Sequence, residues 1–232
     1  MVDNGIEALN PDLLKPLASV HQPDPRTEAF IVMDETTGAS RSISIADQHS
    51  VISGFRLNAK VPSDIVVQYE TAKNIYLYAW FVYRFYPVAE HQALTCLEYA
   101  LKKKFEKDMI AEGWDKHYRP TLRPLLSFAR GKGHIKNEDF KAWHDAIKRR
   151  AIGRFHHEII EKMKNKDIYE MIVDDSEVEF TEEDKDLDYI GPLLDHLPRI
   201  RNEYAHGSDM LYKGVSKSFQ VVMEIINKIY PD

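Results

Sequence analysis

From Ser63 to Tyr230 the apolar residues of this chain recur at helical spacing, which leaves a sheet little room to form. Ile190, Leu193, Leu194, Leu197 and Ile200 trace the i, i+3, i+4, i+7 stripe of an amphipathic helix. Val215, Phe219, Val222, Met223, Ile226 and Ile229 trace another. Ser63, preceded by Pro62, opens the helical region as an N-cap. The first predicted helix, Asp64–Tyr86, is apolar nearly all round and crowded with aromatic residues. A helix without a polar face is buried on several sides, so this one is expected at the centre of a bundle or in a dimer interface. Pro87 opens the next helix, which runs to Glu112 ahead of Gly113. Further helices are predicted over Pro120–Arg130, ended by Gly131 and Gly133, and over Glu138–Arg150, capped by Asn137 and continued through Ile152–Lys166. The last pair is Leu187–His206 and Tyr212–Tyr230. Short links between such helices predict an all-α bundle over residues 63–232. Residues 1–62 read as a less regular N-terminal extension, in which Phe30–Met33, the turn signal Thr36–Ala39 and Ser42–Ile45 predict a small hairpin.

The composition narrows the function classes. An apolar share of 44% supports a sizeable core, and a single cysteine, Cys96, excludes an internal disulfide and a Cys-rich zinc site. Cys96 lies among apolar helix positions and reads as a buried small hydrophobe rather than a nucleophile. The longest unbroken apolar run, Ile75–Tyr83, has nine residues, well short of the roughly 20 that span a bilayer. No signal peptide is visible in the acid-bearing first residues, and a soluble, cytoplasmic protein is expected. A net charge of −6 argues against non-specific coating of nucleic acid. The charge is unevenly spread: Lys102–Arg154 holds 15 Lys and Arg against 7 Asp and Glu, whereas Asp167–Asp209 holds 14 acids against three basic residues. The acidic stretch Asp174–Asp188 reads either as an exposed solvated loop or as a screen lying over the basic surface.

Among the histidines, His156–His157–Glu158 is the nearest approach to a metal site, but adjacent helix residues diverge by about 100° and no HExxH spacing is present. No metal and no cofactor are expected. The one grouping with a chemical rationale is Arg201-Asn202-Glu203-Tyr204-Ala205-His206-Gly207. A forked, permanently charged arginine can brace phosphoryl oxygens as they gain charge, and an imidazole can transfer protons near neutral pH. Asn202 shares a helix face with His206 and is placed to fix its tautomer or to bond a 2′-hydroxyl. Arg201 and His206, five apart, diverge by roughly 140° on one helix, so a second copy of the chain is expected to complete the site. Lys102-Lys103-Lys104, the densest basic run, is the candidate substrate-binding element. The plainer reading is that Arg201 pairs with acids of the 174–188 stretch and that His206 and Gly207 end the helix.

The segment Arg201–His206 resembles the R-x(4–6)-H signature of the HEPN superfamily, the higher eukaryotes and prokaryotes nucleotide-binding domains, and Asn202 fits the commoner polar residue after its arginine. Ala93–Lys102 is similar to the "A-L-x-x-L-E-x-A-L-K" helix of such domains, and Leu122–Gly133 resembles their "L-x-x-L-L-x-x-A-x-x-x-G" element. The resemblance spans roughly residues 64–231 and leaves residues 1–60 unmatched. It implies a HEPN-like helical bundle, a homodimer with the motif in a cleft between subunits, and a metal-independent endoribonuclease of the toxin or antiviral-defence kind. RNA would then be the substrate, with a cognate antitoxin or regulatory protein as a further partner. The alternative it implies is a non-catalytic module that binds nucleotides or proteins.

Overall fold

The computed structural model describes residues 11–34, 36–205 and 214–232, and these are predominantly α-helical, as the periodicity predicts. The two short strands β1 (Ile31–Met33) and β2 (Ser40–Ser42) pair antiparallel, with Val32 opposite Arg41. The second strand therefore sits two residues earlier than expected. Ile45 instead enters helix α1 (Ile45–Ser53), which Ser44 and Asp47 open with a reciprocal capping box.

Helix α2 (Ser63–Tyr78) is shorter than predicted, and α3 (Phe85–Ala111) starts after a six-residue turn. A distant residue accounts for the break. Asp24, fully buried, accepts from the backbone N–H of Tyr83 at 3.0 Å and donates its own N–H to the carbonyl of Trp80 at 2.9 Å. These contacts satisfy two backbone groups that a continuing helix would have paired internally. Arg26 makes two further bonds to the same carboxylate. Burial alone would raise the Asp24 pKa, but Arg26 and the backbone donors hold it below the usual carboxylate value.

The centre of the bundle is α3 rather than α2, and α3 packs against α2, α4 (Leu122–Gly131), α7 (Ile190–Ala205) and α8 (Ser216–Ile229). Its buried Ala89, Ala93, Cys96 and Ala100 share one face, and the Cys96 thiol reaches the Ile65 carbonyl, so this small-residue face lies on α2. α2 answers with Ile65, Tyr69, Ala72 and Tyr76, all buried, while Val67 and Tyr78 face outward. Burial pushes the Cys96 thiol up to about 12, which suits a packing residue and not a nucleophile.

The N-terminal segment packs onto the bundle. Gln48 of α1 is buried and donates to the Tyr76 carbonyl while accepting from the Tyr86 hydroxyl, and Asn58 bonds Asn227 and Tyr230 near the C-terminus. The helix predicted over Glu138–Arg150 does continue through the next segment as one helix, α5 (Lys141–Asn165), starting three residues later than expected. Asn137 does not cap it. Its side-chain oxygen accepts from the N–H groups of Tyr189 and Ile190, opening α7 instead. The acidic stretch contains a helical turn, α6 (Glu182–Lys185), and lies on the basic residues. Asp184 is buried and pairs with Arg154 at 2.9 Å, Asp186 takes a bond from Arg150 through its carbonyl, and Asp188 pairs with Arg130. Of the two readings for residues 174–188, the screen over α4 and α5 describes the arrangement. Among the described residues, no helix is long and apolar enough to cross a membrane.

Asp24 ties the N-terminal segment to the α2–α3 turn. Asp24→Ala is expected to cost about 1–3 kcal/mol of unfolding free energy, the usual cost of stranding buried donors. Asp12→Ala, which removes a carboxylate shared by Arg26 and Arg84 at the surface and strands no buried backbone donor, should cost much less. Urea denaturation of both variants, with equal midpoints as the contrary outcome, tests this.

Candidate functional site

Helix α7 brings the sequence motif to the bundle. Ile190 and Leu197 are buried and Leu193, Leu194 and Ile200 are partly so, which turns the adjacent Arg201 toward α3 rather than toward open solvent. Pro198 sits inside the helix, three residues before Arg201, and cannot donate the usual backbone bond to the Leu194 carbonyl. The Arg201 side chain, 25% exposed, donates through Nη2 to Glu98 Oε1 at 3.3 Å and through Nη1 to Asn202 Oδ1 at 3.4 Å. Both bonds are long. The remaining Glu98 oxygen accepts from the Leu122 N–H at 3.0 Å and so caps the N-terminus of α4. One α3 carboxylate therefore orients Arg201 and anchors a second helix.

The seam between α3 and α7 holds polar atoms without partners. Arg201 Nε, His91 Nε2 and Thr95 Oγ1 are each buried and have no hydrogen-bond partner among the described residues. Each such atom ordinarily costs about 1–3 kcal/mol, so a folded protein carries them where water or a ligand supplies the missing bond. His91, Thr95 and Glu98 are spaced i, i+4, i+7 and follow one side of α3. His91 has its pKa lowered, first by burial and then by the Arg201 charge, with Glu98 opposing. The shift favours the neutral imidazole.

Immediately before His91 in α3, Glu90 is buried at 4% exposure and accepts from the hydroxyls of Tyr204 in α7 and Ser218 in α8. Burial raises its pKa, against the Ser218 and Tyr204 hydrogen bonds and the field of His196. Glu90 thus fixes the end of α7 just before the motif histidine. His206 itself lies outside the described residues, and so do Gly207 and the expected start of the last helix at Tyr212.

The predicted residues are placed unequally. Arg201 and Asn202 lie together, with Asn202 exposed and turned to Arg201. The three lysines fan apart. Lys103 pairs with Asp64 at 2.6 Å, Lys104 lies over the Tyr230 ring at 5.0 Å, and Lys102 lines an open pocket with Trp114 and Tyr118. Only Lys102, four residues after Glu98, continues the side of α3 that carries Arg201's partner. The three lysines therefore do not converge on one point, because consecutive helix residues diverge by about 100°. His156 bonds Asp175 at 2.6 Å at the surface, and no group of three or more potential metal ligands occurs among the described residues. His91, Thr95 and Glu90 were not singled out by sequence. The one available signal for His91 and Thr95 was their helical spacing with Glu98 on one side of α3.

No family model, curated protein or solved structure matches this chain.

Glu90 gives the site a pH dependence of unusual sign. A carboxyl whose pKa is raised by folding contributes stability that is full below its unfolded value, near 4.3, and is lost as pH rises through the folded value. Melting temperatures of the wild-type chain should therefore carry a falling contribution from pH 4.5 upward that Glu90→Gln removes. Parallel curves for the two proteins would show that Glu90 does not titrate with the fold.

Proposed function

We propose that this chain is a metal-independent endoribonuclease of HEPN type, belonging with toxin or antiviral-defence enzymes of the cytoplasm. One observation supports this reading above the others: Arg201 is held at a helix seam with its Nε–H buried and without a partner among the described residues, and its charge acts on His91 across that seam. An obligate donor without an acceptor suits an oxygen-rich anion, and the phosphodiester of RNA is such a group.

The reaction needs only the substrate and the protein. The RNA 2′-oxygen attacks the adjacent phosphorus while a base removes its proton. The P–O5′ bond then breaks, leaving a 2′,3′-cyclic phosphate, and the departing 5′-oxygen is protonated. Arg201 stabilises the charge on the non-bridging oxygens of the phosphorane-like state. His206 serves proton transfer, and Asn202 orients Arg201 through its side-chain oxygen or bonds the 2′-hydroxyl. A homodimer facing two Arg201–His206 segments across a two-fold axis supplies the imidazole that one helix cannot aim at its own arginine.

The Arg201–Glu98 pair favours a second reading. A cation already matched by a carboxylate serves packing as well as chemistry, and a non-catalytic nucleotide- or protein-binding module would need no more. A structured RNA incubated with the purified chain in EDTA separates the two. Cleavage that leaves 2′,3′-cyclic phosphate ends, reduced about 10²-fold or more in Arg201→Ala and in His206→Ala, is the expected result. Intact RNA, with saturable nucleotide or protein binding that survives His206→Ala, would establish the binding module instead.

A further inference from the structure

We propose that His91 is a second proton-transfer residue of the Arg201 site and acts as the base that takes the 2′-hydroxyl proton. The proposal rests on the endoribonuclease reading and names a residue which the motif does not contain. Its motive is geometric. His91 stands two turns before Glu98 on α3, the residue whose carboxylate holds Arg201 from across the seam. His91 Nε2 and Arg201 Nε are both buried and both lack a partner among the described residues. A phosphodiester entering this seam would give Arg201 Nε its acceptor through a non-bridging oxygen and give His91 Nε2 its donor through the 2′-hydroxyl. One guest would thus satisfy both orphaned atoms, and the Thr95 hydroxyl, one turn after His91 on α3, offers a third contact of the same kind.

The surroundings suit a base. Arg201 faces His91 from α7 and Glu98 shares its side of α3, and burial with the Arg201 charge outweighs Glu98 and favours the unprotonated ring that a base needs. Arg201 and Glu98 are 25% and 20% exposed, and their mutual contact is long, so a phosphate can displace or share the guanidinium at the mouth of the seam. The proton balance closes without a metal or co-reactant. His91 receives the proton of the 2′-hydroxyl as the new O–P bond forms. The 5′-oxygen leaves with a proton from His206 in the reading above, and water resets both imidazoles.

The test uses the full chain and a short single-stranded RNA in EDTA. Four proteins are compared: wild type, His91→Ala, His91→Gln and His206→Ala. His91→Ala is expected to lose about 10²-fold in kcat with little change in KM, and added imidazole should restore part of that loss. His91→Gln keeps a hydrogen-bonding side chain and should fold with normal ellipticity, yet it should be equally slow. On an RNA whose 5′-bridging oxygen is replaced by sulfur, a leaving group that needs no acid, the His206→Ala defect should shrink while the His91→Ala defect persists. Wild-type cleavage retained in both His91 variants overturns the assignment while leaving the endoribonuclease reading intact. So does a loss that imidazole does not relieve, or a His91→Ala defect that the sulfur substrate abolishes. An RNA left whole by the wild-type chain removes the endoribonuclease reading itself.

Discussion

Two carboxylates on the central helix determine where everything chemically interesting in this molecule sits. Glu90 and Glu98 lie eight residues apart on α3, about 12 Å along its axis, and each reaches across to α7. Burying a carboxylate is expensive unless its oxygens are bonded, and both are. Glu90 is satisfied by two hydroxyls, from α7 and α8, and Glu98 by a guanidinium and the first N–H of α4. The bundle is thus keyed: α4, α7 and α8 have one register against α3 in which these groups are matched. Apolar stripes alone would tolerate a slide of one turn, and buried polar groups would not.

This keying explains which parts of the fold were legible in the sequence. The helices whose apolar stripes point at α3 could be read from period alone, and α4, α7 and α8 fall within a few residues of their expected bounds. What escaped was set by partners far away in the chain. The aromatic run Ile75–Tyr83 looks like continuous helix, but Asp24 takes up its backbone groups at Trp80 and Tyr83 and lets it turn. Asn137 has every local mark of a cap for the helix that follows it, yet it opens α7, more than fifty residues on. Residues of this kind choose among several chemically equivalent uses, and only tertiary proximity decides.

The site was legible to a lesser degree. Arg201 and Asn202 stand out because they form a compact polar word at the end of an apolar stripe. His91 gives no such sign, because a histidine on a long helix is unremarkable until the neighbour from α7 is known. The lysine run shows a general limit of reading along the chain. Density along the chain is not density in space, and three successive helix residues point to α2, to Tyr230 and to the Trp114 pocket. Part of the wider basic surplus is taken up by the acidic segment, since Arg130 and Arg154 pair with Asp188 and Asp184 and Arg150 bonds the Asp186 carbonyl.

The pairing of Arg201 with Glu98 does not disqualify it as an anion-binding group. A guanidinium carries five N–H donors in a rigid plane. Glu98 takes one from Nη2 and Asn202 takes one from Nη1, both at long range, while the buried Nε–H is left over. The donors not used are enough for a bidentate contact with two phosphoryl oxygens. Glu98 then resembles a brace: it sets the plane of the fork, as the carboxylate partner of a metal-bound or catalytic histidine sets the plane of its ring. A lysine at this position would keep the charge but lose the plane, and would direct its ammonium to Glu98 alone. The arrangement favours arginine for a geometric reason that exists before any ligand arrives, which is what preorganisation of a charge-stabilising group requires.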